Sequence, residues 1–241
     1  MLITVSALLM IIVATNIETN KEIKRMELVY IPSGESWIGS GEWDHEYNQN
    51  EISEHKVYLN SFWISKTEIT NSMYAECVGA GVCTYHVSHE TNPRFLDPTY
   101  ADHPVVYVTW QDAMDYCTWV GGRLPTEAEW EKAARGTDKR KYPWKEGYPT
   151  EKNVNAGNVI GDTVPVGLYR NGASPYGVLD MVGNVREWVA NWYDDEQTVK
   201  VLKGGSFEDS YEHMRVADRL FHDPNSAGFN RGFRCMIPEQ Q

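Results

Sequence analysis

The chain has 241 residues, 41% of them apolar and including nine Trp and fourteen Tyr, enough to fill the core of one sizeable domain. Its 34 acidic side chains outnumber 22 basic ones for a net charge of −12, which repels phosphate backbones and excludes a nucleic-acid-binding role. The longest basic cluster, Lys139-Arg140-Lys141, is too short to reverse that sign, and solubility alone accounts for the acidic excess.

Residues 2 to 14 form an apolar run too short to cross a bilayer comfortably and of the length of a signal-peptide core. No Lys or Arg precedes it, and Ala14-Thr15-Asn16 is a poor cleavage site. An export signal, the remnant of a membrane anchor and a buried first strand therefore stay open. After a charged linker, Glu27 to Pro32 reads as a strand stopped by Pro32-Ser33-Gly34, with Trp37 to Ser40 as its hairpin partner. An acidic, Asn-rich loop follows, and His55 to Ile64 alternates polar and apolar residues as one further strand would.

Helix signals are sharper. Thr70 caps a helix running to about Gly79. Thr109 and Asp112 make a near capping box ahead of Trp110, Ala113, Met114, Cys117 and Val120, which share one helical face, and Gly121-Gly122 stops that helix. Thr126 and Glu129 form a full capping box behind Pro125, opening a helix that runs to Gly136. Beyond residue 137 the apolar runs are short, at 164–169, 178–181, 185–192 and 199–202, with Gly, Pro, Asn and Asp between them. Backbone so irregular needs other ties, such as buried Trp, bound ions or disulfides. No repeat interrupts it, so residues 26–241 read as one domain behind an N-terminal segment, 1–25.

Cys77, Cys83, Cys117 and Cys235 are even in number and lack zinc-type spacing, which leaves disulfides and free core thiols open. Cys77 and Cys83, around Gly79 and Gly81, are close enough to close a small local ring. His86 and His89, a close pair without a third ligand, read as solvated loop residues.

Several separated blocks then occur in one order: Glu68-Ile69-Thr70-Asn71, His103-Pro104-Val105, Arg123-Leu124-Pro125-Thr126-Glu127-Ala128-Glu129-Trp130-Glu131, Met181-Val182-Gly183-Asn184-Val185-Arg186-Glu187-Trp188, Lys203-Gly204-Gly205-Ser206 and Gly232-Phe233-Arg234-Cys235. Over roughly residues 26 to 238 the chain resembles the formylglycine-generating enzyme (sulfatase-modifying factor) domain. The resemblance implies an α+β, C-type-lectin-like fold of the formylglycine-generating-enzyme subtype, poor in regular secondary structure. It also implies where chemistry would sit. In the active enzymes two cysteines between Gly-Gly-Ser and the following Arg bind copper and work on a substrate cysteine. Here the counterpart positions fall near Asp209 and Tyr211 in a shortened segment. Carboxylate and phenol cannot replace a thiolate pair for copper(I), so no copper is expected and formylglycine generation is rejected.

The same resemblance implies structural calcium in two loops, one bracketed by Asn155 and Asp162, the other flanked by Asn184 and Glu187 with carbonyls near Val182 and Val185. Such oxygens suit a hard cation. The competing reading makes these Asn and Asp residues turn formers and pairs Glu187 with an Arg. By resemblance, Cys117 pairs with Cys235.

Between residues 207 and 230 lie Phe207, Glu208, Asp209, Tyr211 and His213, then Leu220, Phe221, His222, Asn225, Phe229 and Asn230. Such a mixture gives contact area with adaptable polar groups, as paratopes do, although any surface loop carries similar residues. Arg215, Val216, Ala217 and Arg219 read as scaffold. Variable proteins of diversity-generating retroelements are similar here too, placing diversified positions between Gly-Gly-Ser and Gly-Phe-Arg and keeping an Arg-x-Ala-x-Arg core like Arg215 to Arg219. The expectation is a non-catalytic, secreted or cell-surface module that binds a protein or glycan and meets a membrane only through an N-terminal anchor. A divergent oxidoreductase acting on a peptide or protein, and a sensor ectodomain, are the alternatives; a cytoplasmic place stays open if the first run is a core strand.

Overall fold

The computed structural model describes residues 26–41, 44–46, 50–85 and 92–239. The N-terminal apolar run and the His86/His89 pair lie outside them. All three helices stand where their caps predict. In α1 (Asn71–Gly79), Thr70 Oγ1 accepts from Met73 N at 3.3 Å. In α2 (Trp110–Trp119), Thr109 Oγ1 accepts from Asp112 N at 3.1 Å and Asp112 Oδ2 accepts from Thr109 N at 2.9 Å, closing a full box. Thr126 and Glu129 do the same for α3 (Glu127–Arg135), at 3.2 and 2.7 Å. Each reciprocal pair satisfies backbone donors that a helix start leaves orphaned. Past α2, Gly122 admits no side chain, because a Cβ there would lie 2.2 Å from Met236 O.

The strands are β1 (Leu28–Ile31), β2 (Gly34–Ile38), β3 (His55–Leu59), β4 (Phe62–Ser65), β5 (Arg186–Trp192), β6 (Lys200–Lys203), β7 (Arg219–His222), β8 (Arg231–Phe233) and β9 (Met236–Pro238). Two pairings differ from the sequence reading. β1 pairs with β4, from Leu28↔Ser65 to Ile31↔Phe62, and not with the segment after its turn. That segment, β2, pairs with β3. The single strand expected from His55 to Ile64 is therefore two, broken at Asn60-Ser61, where the chain crosses from one sheet to the other. Gly34, at φ 141°, makes the matching crossing between β1 and β2 in a conformation that L side chains rarely adopt. β9 completes the order β1-β4-β9.

The central sheet runs β7-β6-β5-β8, antiparallel except for the parallel β5/β8 pair. Its two faces feed two cores, as strand alternation requires. Trp188, Leu202 and Phe233 stand in register on one face and pack with Tyr74, Tyr116, Cys117 and Cys235. Val189 and Val201 belong to the other core, with Trp130, Val216, Ile31 and Ile64. Both cysteine pairs are bonded: Cys117–Cys235 ties α2 to the link between β8 and β9, and Cys77–Cys83 closes the end of α1. Among the described residues no helix is long and apolar enough to cross a membrane.

Candidate binding surface

The stretch leaving β6 is held by close backbone approach and buried charge. Gly204 and Gly205 both have positive φ, and a Cβ on Gly205 would stand 2.9 Å from His213 O. Asp209 then folds back: its Oδ2 accepts from Ser206 N at 2.8 Å, Ser206 Oγ at 2.6 Å and Arg186 Nε at 3.0 Å. Asp218 meets Arg186 Nη1 and His213 Nδ1, each at 3.3 Å, and Arg215 Nη2 at 3.5 Å. Arg215 reaches out of the segment to Asp44 at 3.0 Å and Glu51 at 2.5 Å, with all three side chains buried. Burial opposes charging Asp218, but His213, Arg186 and Arg215 outweigh it and hold the carboxyl below its ordinary value. The hydrogen bond to Asp218 raises His213 in turn.

These contacts give several expected ligand residues a different role. Asp209 and His213 are clamps, and Phe207, 4% exposed, lies inside with its ring 6.0 Å from that of Phe229. The Asp209 carboxylate and the His213 Nδ1 are held by partners within the protein, which sets their orientation although part of each side chain reaches solvent. The outward groups are Glu208, Leu220, Phe221, Asn225 and Phe229, with Tyr211, His222 and Asn230 half-buried. Leu220, Phe221 and Phe229 are 38, 43 and 41% exposed.

The outward groups form separate patches. Leu220 and His222 are in register with Leu202 and Lys200, whereas Phe221 is in register with Val201, so successive β7 side chains face opposite sides of the sheet. Phe221 lies 4.4 Å from the Tyr193 ring, and Arg219 stands 4.6 Å over that same ring. Tyr211 covers Gly157, where a Cβ would lie 3.4 Å from the ring, and meets Tyr148 edge-on at 6.4 Å. Phe229 neighbours Asn230, whose Nδ2 donates to Glu208 Oε1, and Arg231. Sequence reasoning missed Tyr148, Tyr193 and Arg231; only the last lay beside a motif, between Asn230 and Gly232.

The sequence profile of the sulfatase-modifying factor enzyme 1-like domain matches residues 13–238. This chain belongs to that family. It is 33% identical over 253 residues to the serine/threonine-protein kinase pkn1 of Chlamydia caviae, covering 90% of this chain and 40% of the relative. It is 42% identical over 152 residues to the inactive C-alpha-formylglycine-generating enzyme 2 of Bos taurus, covering 56% of this chain and 50% of the relative. The chain thus spans half or less of the length of these two relatives. Among solved structures it is similar to PvdO from Pseudomonas aeruginosa, with 25% identity, a TM-score of 0.72 and coverage of 88% of this chain and 94% of that one. The Treponema denticola variable protein 1 has the same fold, with 22% identity, a TM-score of 0.68 and the same coverages. The fold is the formylglycine-generating-enzyme subtype of the C-type-lectin-like fold.

The metals that the family implies do not fit the side chains of this member. All four cysteines are spent in disulfides, so no thiolate remains for copper. Glu187 gives one carboxylate oxygen to Arg234 Nη2 at 2.7 Å and the other to Arg234 Nε and Trp130 Nε1, both at 2.7 Å. Asn184 turns its Nδ2 to Glu68 and its Oδ1 to Val164 N and Asn155 Nδ2. Asp162 is neutralised by Arg94 at 2.8 Å and accepts from Tyr100 at 3.1 Å, while Asn155 presents Nδ2 to Asp162 O at 2.9 Å. Each carboxylate expected to bind calcium already faces a guanidinium, so these side chains tie loops together instead. Among the described residues no group of three or more His, Cys, Asp or Glu side chains is placed to hold a metal ion. Beside Arg234, burial and the neighbouring acids hold Glu68 well above the usual carboxylate range, and burial raises Asp180 too.

Proposed function

We propose that this domain is a non-catalytic, exported binding module that presents the outward side chains between residues 207 and 230 to a protein or glycan. One observation carries the reading: the clamp Arg186–Asp209–Asp218–Arg215 uses up the segment's inward charges, while Phe221 and Phe229 stand outward on a fixed support. Rigid aromatic groups held at low entropic cost are what a binding surface needs. The stretch that would carry a reactive thiol pair has none, and Asp209 is already ion-paired. Two disulfides support export to an oxidising compartment. Retroelement diversification of the same segment fits best at Glu208, Tyr211, Leu220, Phe221, Asn225 and Phe229, which the clamp does not constrain. A reverse-transcriptase gene beside a near-copy of the 3′ coding stretch would support that refinement.

The test is a ligand screen on protein and glycan arrays with wild type, Tyr211→Ala and Phe221→Ala. Capture by wild type that weakens in either variant supports the surface. Equal capture by all three removes these side chains from it.

A further inference from the structure

Beside the 207–230 segment lies a small open cavity of about 210 Å³, lined by the buried Val154 and Ala156 and by Val159, Ile160, Tyr169 and Glu151. The loop that carries Val159 and Ile160 is tied to that segment, because Gly157 N donates to Asp209 O at 2.8 Å and Asn158 N donates to Phe207 O at 2.7 Å. Glu151 stands in a turn closed by Asn153, whose N donates to Thr150 O at 3.0 Å and whose Oδ1 accepts from Thr150 N at 2.8 Å. The Tyr211 ring packs over Gly157, next in sequence to Ala156, and Tyr148 meets that ring at 6.4 Å.

The polar groups gathered here are not spent within the protein. Among the described residues the Glu151 carboxylate has no ion pair, and neither it nor the Tyr169 or Tyr211 hydroxyl has a hydrogen-bond partner. Lys152 and Arg170, adjacent in sequence to Glu151 and Tyr169, are exposed and form no ion pair with Glu151. Burial raises the Tyr169 and Tyr211 hydroxyls, and the Glu151 charge raises both further, so the three groups act on one another. Elsewhere the protein sets its own cations against aromatic rings: Lys200 lies 3.9 Å from the Trp110 ring and 3.6 Å from that of Trp192, and Lys139 lies 3.8 Å over Trp37. Among the described tyrosines, Tyr100, Tyr142 and Tyr193 carry such a cation, and Tyr148, Tyr169 and Tyr211 do not.

We infer that this cavity takes the lysine side chain of a protein ligand. The aliphatic stem lies against Val159 and Ile160, which are 54 and 53% exposed without it, and the ammonium meets Glu151, Tyr169 and Tyr211. An ammonium has three N–H donors, and one carboxylate with two phenol oxygens supplies acceptors for all three. A compact charge on a flexible stem suits a narrow cavity with apolar walls better than the broad planar fork of Arg does. The net charge of −12 favours a cationic ligand before contact is made. This inference rests on the proposed binding surface, which Tyr211 shares, and specifies the part of a protein ligand that is held beside it.

The test uses arrayed hexapeptides with blocked ends and random neutral residues around one central lysine, acetyl-lysine or arginine. Wild type should capture the lysine peptides about tenfold more strongly than the acetyl-lysine peptides, and more strongly than the arginine ones. Glu151→Gln and Tyr211→Leu, each shown by circular dichroism to be folded, should lose most of that preference. Glu196→Gln, which removes the same charge from an exposed turn elsewhere, should keep it. Equal capture of lysine and acetyl-lysine peptides by wild type, arginine peptides captured as well as lysine ones, or a lysine preference unchanged in Glu151→Gln overturns the subsite; if capture then still weakens in Phe221→Ala, the wider surface survives. A preference lost equally in Glu196→Gln reports general charge attraction and also overturns it. Capture of no peptide overturns the subsite, while capture on the protein or glycan arrays that weakens in Phe221→Ala would still support the wider surface.

Discussion

Arg234 donates from Nε and Nη2 to the two carboxylate oxygens of Glu187, at 2.7 Å each, where neither side chain is more than 1% exposed. The pair joins β5 to the residue after β8. The same guanidinium donates to carbonyls of Ser65, Leu179 and Asp180, so one side chain gathers four chain segments. Removing one partner of such a pair strands the other's charge, which costs about 3 to 5 kcal/mol. Glu187→Gln and Arg234→Met should each lower the unfolding free energy measured by urea titration by an amount in that range. The double variant should lose less than the sum, because no lone charge remains. Strict additivity would show that the two side chains act independently.

Reduction should separate the two disulfides by loop length. Cys117–Cys235 closes a separation of 118 residues and Cys77–Cys83 one of 6. In the chain-entropy account, Cys117→Ala with Cys235→Ala costs about 4 to 5 kcal/mol and Cys77→Ala with Cys83→Ala about 2 kcal/mol. Thermal melts of the two double variants test the order. A larger loss from the short loop would contradict it.

The pH dependence of stability should carry the signature of His213. Its folded pKa is raised above 6.5 by Asp218, so its contribution is full below that value and fades as pH rises through the raised one. Asp218 is held below 3.8 and contributes until the medium is acidic enough to protonate it. Both are charged between those two values. Raising pH from about 6 to about 8.5 should therefore lower the melting temperature more in wild type than in His213→Gln. Equal slopes would remove the pair from the account. Part of the imidazole is open to solvent, which keeps the effect small.

Calcium should leave the fold unmoved. With Glu187 on Arg234 and Asp162 on Arg94, no carboxylate of the expected loops awaits a cation. Melting temperatures in excess calcium and in excess chelator should coincide. A rise of several degrees with calcium would mean that those ion pairs open to admit it.

The helices were legible because a capping box is a local device: Thr109 with Asp112 and Thr126 with Glu129 span three residues each. Strand partners were not. β1 finds β4 rather than β2 because Gly34 and the break at Asn60-Ser61 carry the chain between sheets, and no local pattern reveals that crossing. The candidate surface was legible in location and only partly in membership. Phe207, Asp209 and His213 have the chemistry of ligand-facing residues, but Arg186 and the Arg215 ties to Asp44 and Glu51 come from distant segments and turn that stretch inward.

The central claim is that this member of the family holds its ligand without transforming it. Purified protein incubated with copper, oxygen and a cysteine-containing peptide, followed by mass spectrometry, tests this most directly. The account predicts a peptide of unchanged covalent structure after long incubation. An aldehyde-bearing product that disappears in variants of residues 207–230 would contradict it.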